Sequence, residues 1–263
     1  MRSGLRAAMK MLLINADDFG MTESVTSGIS ESMLRGAVTT TSAMACVPGS
    51  LERVAAHAAG LQGRIGLHLQ LTDGVPCRGD VPSLVDEEGQ FPRAWWSIRN
   101  PAAEEIRREW HAQMERMLSF GVQPSHIDTH HSVHRIPEVF EVYAEMAAEY
   151  GLPARTLTAA HTIELRRRGV PCTDALESGW YGEGITPEGL VARVERAFAV
   201  SGRGSVELMC HPGYSDEELG RSSTYVEERQ RELGVLCDPE LPKLLERAGI
   251  LVAQARGDRE CER

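Results

Sequence analysis

Short apolar runs that end in polar turns alternate along this chain with longer stretches whose apolar residues recur every three or four positions. That is the pattern of strands interleaved with amphipathic helices. Met11-Leu12-Leu13-Ile14 is too short and too close to Gly20 for a helix and reads as a buried strand. Thr22 can cap a helix with Val25, Ile29 and Met33 on one face and Gly36 at its end. Val38 to Val47 is strand-like, and Ser50 can cap a second helix carrying Leu51, Val54, Ala55 and Ala58 inward, closed by Gly60. From Ile65 to Leu71 the alternation is strict: Ile65, Leu67, Leu69 and Leu71 share one face, and Gly66, His68, Gln70 and Thr72 the other.

Residues 73–103 interrupt the rhythm with Gly, Pro and acids and carry Trp95-Trp96, which marks a functional loop or aromatic packing beneath one. The alternation then resumes. Ile106, Trp110, Met114, Met117 and Leu118 predict a helix ending at Gly121, and Ser125 to Asp128 a strand. Val139, Phe140, Tyr143, Met146, Ala147 and Tyr150 predict a helix stopped by Gly151 and Pro153, followed by a strand over Ala154 to Leu157 and an irregular stretch. Thr186-Pro187 opens a helix with Leu190, Val191, Val194 and Phe198 inward, Val206 to Cys210 is a strand, and Asp238-Pro239 starts a last helix before Ile250 to Ala253. About seven such units, without a linker or repeat, predict one α/β domain over 11–256 with a parallel sheet, open or closed into a (β/α) barrel. Residues 1–10 read as an N-terminal extension and 257–263 as a tail.

Composition narrows the class. A length of 263 residues, 42% hydrophobic and 25% charged, suits a single globular barrel with a full core, and no run approaches a membrane span. The net charge of −10 argues against a nucleic-acid partner, because phosphate binding needs a basic face. The first ten residues lack the apolar region of a signal peptide, and the six cysteines form no CxxC pair or framework, so a cytoplasmic protein with reduced thiols is expected. Self-association into a homo-oligomer is left open.

The chemistry gathers where strands end. Asp17 and Asp18 follow the first strand; as neighbours on a strand they should start toward opposite faces unless the chain bends, which Gly20 makes easy. His126, His130, His131 and His134 fall within nine residues together with Asp128, directly after a strand. Imidazole is the commonest ligand for zinc-like metals, and a nearby carboxylate completes the shell or orients a ligand through its second nitrogen. With His68 and Asp18 also at strand ends, these residues point to a divalent metal site, since strand ends converge on one face in α/β folds. His211, after Val206 to Cys210, reaches the same face.

The chain resembles the YdjC/ChbG-like carbohydrate deacetylases, which include chitooligosaccharide deacetylase and hopanoid-associated sugar deacetylases. The resemblance lies in NADDFG at 15–20, GLHLQLT at 66–72, PSHIDTHHSVH at 124–134, WYGE at 180–183 and ELMCHPG at 207–213. It implies an irregular (β/α) barrel like that of polysaccharide deacetylases, one divalent ion, and removal of acetyl from an N-acetylated sugar. It also implies Asp18, His68 and His130 as metal ligands, with His126 the runner-up, and Asp17 as general base. Ser132 departs from relatives that carry a third consecutive His there, and the 73–103 loop differs in content.

Amide hydrolysis needs an activated water, a stabilised oxyanion and a proton for the leaving amine. His211 is the candidate acid, as an imidazolium; Asp128, His131, His134, Arg155 and Tyr181 are candidates for contacting the sugar or supporting the ligands. The ligand set suits zinc better than magnesium, although the family is commonly described with magnesium, so the ion is Mg or Zn. Three other readings use the same residues. A phosphatase of phosphorylated sugars would bring clustered Lys or Arg, which does not adjoin these motifs in sequence. A non-catalytic metal- or sugar-binding module would not need Asp17 or His211. A glycosidase using Asp17 and Asp18 would need them on opposite sides of the scissile bond.

Overall fold

The computed structural model describes residues 9–202 and 204–253. The expected tail at 257–263 and all but the last two residues of the expected extension lie outside them, and Lys10 already belongs to the first strand. In chain order the elements are β1 (Lys10–Phe19), α1 (Glu23–Arg35), β2 (Thr40–Met44), α2 (Ser50–His57), β3 (Ile65–Leu69), α3 (Ala103–Ser119), β4 (Ile127–Thr129) and α4 (Pro137–Tyr150). They continue with α5 (Ala159–Arg167), β5 (Ala175–Glu177), α6 (Pro187–Ser201), β6 (Ser205–Cys210), α7 (Glu217–Ser222), α8 (Glu227–Leu236), α9 (Leu241–Arg247) and β7 (Ile250–Val252).

Every strand pairing is parallel, in the order β4-β3-β2-β1-β6-β5, with β7 also on β1. The seven strands form a curled, irregular (β/α) barrel sheet. β1 is its axis, and its apolar residues Leu12, Ile14, Ala16 and Phe19 are fully buried. Parallel strands require crossovers, and helices of the predicted periodicity supply most of them. Thr22 accepts a hydrogen bond from Val25 N at the start of α1, Thr186 accepts from Gly189 N at the start of α6, and Gly151 and Gly202 close α4 and α6 in left-handed conformation.

Several local expectations fail for identifiable reasons. β1 runs through Asp17 and Asp18 to Phe19 rather than ending at Ile14, because β2 and β6 continue to pair with it. Ser50 does not cap α2; its hydroxyl donates to the Met44 carbonyl, and Gly49 holds the cap position. Ala154 to Leu157 forms only a single bridge to Ile127. The stretch taken as irregular contains α5 and β5, and α8 precedes α9 where only one closing helix was expected.

Gly28 on α1 lets the turn after β6 come close: a Cβ there would stand 2.6 Å from Gly213 Cα, a backbone atom. Tyr214 N also donates to the Ser24 carbonyl at 3.2 Å, so α1 braces the turn that carries His211. Gly28→Ala is expected to cost about 1–3 kcal/mol through overpacking. A lowered melting temperature checks it; an unchanged one would show that the turn can shift freely.

Candidate metal and active site

The register of the sheet sets the site at the C-terminal ends of its strands. His68 on β3 pairs with Asp128 on β4 and with Met44 on β2, so His68 and Asp128 stand side by side and project to the same face. Ala16 pairs with Cys210, which brings Asp17 and His211 to neighbouring strand ends. The expected divergence of Asp17 and Asp18 does not occur. Asp18 has a left-handed backbone (φ 72°), so the reversal happens at the acid itself, before Gly20, and both carboxylates border one cavity of about 620 Å³. Five non-glycine residues among those described have left-handed backbones, and Asp18, Asp73, His131 and Ser132 all line this cavity. Such conformations cost on the order of 1–3 kcal/mol each and concentrate where a site over-determines them.

Three atoms converge. Asp18 Oδ1 lies 3.0 Å from His130 Nδ1 and 3.5 Å from His68 Nε2, and the two ring nitrogens are 3.3 Å apart. On each of the three residues the other polar atom is held from outside. His68 Nδ1 is 2.7 Å from Asp128 Oδ1, His130 Nε2 is 3.3 Å from Asp73 Oδ2, and Asp18 Oδ2 accepts from Arg229 Nη2 at 2.6 Å. This is how ligands are oriented around a metal, with a second partner fixing each ring. All three are buried, and Asp18 Oδ1 has no hydrogen-bond partner of acceptable geometry. An orphaned buried carboxylate oxygen facing two imidazole nitrogens fits a divalent cation.

The electrostatics agree with the geometry. Burial opposes charge on Asp18, but Arg229 and the His130 ring outweigh it and hold the carboxyl well below the usual range. Burial likewise opposes a charged His68, yet Asp128 and Asp17 raise it to about 10, and Asp18 and Asp73 raise His130 against its own burial. The acids around the cluster thus favour the protonated form of His68 and shift His130 in the same direction.

Beneath the cavity lies a second layer. Arg155, fully buried, donates to both oxygens of Asp17 at 2.7 and 2.6 Å, to Glu207 Oε1 at 2.7 Å, and lies 2.8 Å from Asp128 Oδ2. Asn15 and Ser42 complete the net by donating to Asp17 and Asp128. Arg155 was expected among residues touching substrate or supporting the ligands; it does not line the cavity and positions the Asp17 carboxylate from below. His134 is also off the cavity, buried with Nδ1 2.6 Å from Thr129 Oγ1 and its ring stacked on Tyr143. His126 is farther away, its ring packed over Gly66 where a Cβ would sit 2.4 Å from it.

His131 and Tyr181 do line the cavity, His131 stacked on His130 at 3.9 Å between centroids. His211 lies in the wall with Tyr181 and Tyr225 beside its ring. Its backbone N–H donates to Glu232 Oε2 at 2.5 Å, and Tyr225 OH donates to Glu232 Oε1. Burial pushes His211 down to about 4, so its resting form at pH 7 is neutral imidazole, not the imidazolium expected. Asp73, Glu207, Arg229 and Glu232 were not anticipated. Asp73 had a local signal, since the turn-favouring pair Asp-Gly begins four residues after the end of the strand bearing His68; Arg229 and Glu232 lie in a charge-rich helix whose sequence carries no such signal.

Fold and site together define a parallel α/β barrel protein with a buried two-histidine, one-aspartate cluster at its strand ends. The profile described as YdjC-like protein matches residues 11–247, and the chain belongs to the YdjC-like family. It is 38% identical to a carbohydrate deacetylase of Geobacillus stearothermophilus over 90% of this chain and 94% of that one. It is 36% identical to a chitooligosaccharide deacetylase of Serratia marcescens over 92% and 97%. A crystal structure from Enterococcus faecalis V583, described provisionally as a cellobiose-phosphate cleavage protein, matches with a TM-score of 0.84 and 34% identity over 94% of this chain and 97% of that one.

Proposed function

We propose that this protein is a divalent-metal-dependent carbohydrate N-deacetylase that releases acetate from an N-acetylated sugar or short chitooligosaccharide. The observation that carries the reading is the convergence of Asp18 Oδ1, His68 Nε2 and His130 Nδ1, each backed by its own outer partner, beside a separate carboxylate, Asp17. The names borne by relatives that align along nearly their whole length support the substrate class.

Asp18, His68 and His130 would hold the ion, which when bound supplies Lewis-acid polarisation of the acetyl carbonyl and of a water within reach. Asp17 accepts the proton of the attacking water, its two oxygens oriented by the Arg155 fork. Water adds to the amide carbon, the carbon–nitrogen bond breaks, and acetate and a free amine leave. His211 delivers the amine's proton; neutral at rest, it takes that proton from solvent as negative charge builds in the pocket, and Asp17 returns the water's proton to solvent at the end of the cycle. His131, Tyr181 and Trp95 present rings to the sugar from the wall. A glycosidase is disfavoured, because both Asp17 and Asp18 lie within 4.0 Å of the same His68 nitrogen and cannot flank a bond from opposite sides.

A phosphatase reading gains one point: Arg93, and Arg135 directly after the histidine motif, border the cavity. Incubation with N-acetylglucosamine oligomers and with a phosphorylated disaccharide separates the two. Acetate without phosphate supports deacetylation, and phosphate without acetate overturns it.

Two further outcomes are expected. His130→Ala should lose bound metal while His126→Ala keeps it, measured by elemental analysis; full metal in His130→Ala would exclude that ligand. His68, raised to about 10, carries a proton at pH 7 that must leave before Nε2 can coordinate. Metal uptake should therefore release protons, and affinity should strengthen as pH rises from 6 toward 9. Calorimetry in buffers of different ionisation enthalpy reads this directly, and proton-neutral binding at pH 7 would contradict it.

A further inference from the structure

A second cavity, of about 520 Å³, opens on the far side of the tryptophan pair. Trp95 and Trp96 line both cavities, so the two are adjacent, with these rings between them. We propose that the outer cavity is a second saccharide subsite, which binds the units of an oligosaccharide beyond the first two, those two lying in the inner cavity at the Asp18–His68–His130 cluster. The inference rests on the deacetylase reading for the first subsite.

Four observations carry it. The Arg135 guanidinium lies 4.8 Å over the Trp95 ring and donates to the Ser132 carbonyl at 3.2 Å, which fixes Trp95 at the divide between the cavities. Trp96, set edge-on to Trp95 with centroids 5.9 Å apart, is 64% exposed, which leaves much of its ring open to a ligand in the outer cavity. The rest of the outer wall mixes apolar Ile98, Pro101 and Ile136 with exposed Arg99, Asn100 and Glu138, so apolar surface and hydrogen-bonding groups line it together. That combination matches a pyranose, which has an apolar face and a rim of hydroxyls, better than a lipid chain. Asn100 is the fifth left-handed non-glycine residue (φ 45°), and Pro101 after it further restricts its backbone, so the segment is held in a strained shape next to the cavity.

Each volume alone is in the range of small-ligand sites, so the pair has room for more than one ring. The outer cavity would make the protein select for chain length. Arg99 and Glu138 line only the outer cavity, so substituting them tests it without touching the inner site.

The test compares the dimer and tetramer of N-acetylglucosamine as substrates of the metal-loaded wild type and of Arg99→Ala/Glu138→Ala. Their binding to Asp17→Asn protein is followed in parallel by tryptophan fluorescence. The tetramer should bind about tenfold more tightly than the dimer, and the double substitution should remove that gain while leaving the dimer's KM unchanged. Equal affinity for dimer and tetramer, or a loss that falls equally on both, would overturn the subsite. An octyl glycoside of N-acetylglucosamine gaining as much as the tetramer would assign the cavity to an apolar aglycone and also overturn it. If dimers lose acetate and tetramers gain nothing, only the subsite fails; if no oligomer is either bound or hydrolysed, the deacetylase reading fails first.

Discussion

Asp17→Asn is expected to keep its metal and to lose acetate release by about 10²–10⁴, the usual cost of a missing general base. Asn preserves the shape of the side chain and can still meet the Arg155 fork through its oxygen, but it cannot accept the proton of the attacking water. Asp18→Asn should behave differently. Its Oδ1 is the orphaned oxygen that faces both imidazoles, so a neutral amide there weakens metal binding itself. Metal content and acetate release measured on both variants separate the two jobs. Loss of metal from Asp17→Asn with retention in Asp18→Asn would reverse the roles.

The largest effect on stability is expected at Arg155. Its guanidinium is the shared partner of Asp17, Asp128 and Glu207, all buried, so Arg155→Leu leaves three carboxylates without their cation. Removing one member of a buried charged network typically costs about 3–5 kcal/mol, because the partners left behind remain desolvated. A lowered denaturation midpoint measures it, and activity should fall too as Asp17 loses its orientation. Arg155→Lys should rescue only part of either, since an ammonium cannot make the paired bonds to Asp17. A stability unchanged in Arg155→Leu would show that the carboxylates take up protons instead.

How much of this was legible beforehand depended on whether a feature had a local cause. The strands carrying Asp17, His68 and His211 are short apolar runs ending in polar turns, so their existence and the convergence of their ends follow from periodicity and from the geometry of parallel sheets. The caps at Thr22 and Thr186 and the stop at Gly151 are equally local. By contrast, Arg229 reaches Asp18 across 211 residues and Arg155 reaches Asp17 across 138. Nothing within a window of sequence marks such a pairing; the charge-rich sequence of α8 does not reveal that Arg229 and Glu232 are buried. The left-handed backbone at Asp18 was hidden for another reason. Neighbouring acids on a strand should diverge, and only the demand that both meet one cavity selects the strained conformation. His134 belonged to the same histidine cluster as His130, yet the bend through His131 and Ser132 turns it away to stack on Tyr143.

Acetate release by metal-stripped protein, to which a divalent ion is returned in measured amounts, tests metal-dependent deacetylation head-on. With an N-acetylglucosamine oligomer as substrate, the stripped protein should be inactive, and acetate release should rise with added ion and level off at one equivalent per chain. Release that persists after exhaustive chelation, or no acetate with magnesium, zinc or any other divalent ion, would contradict it.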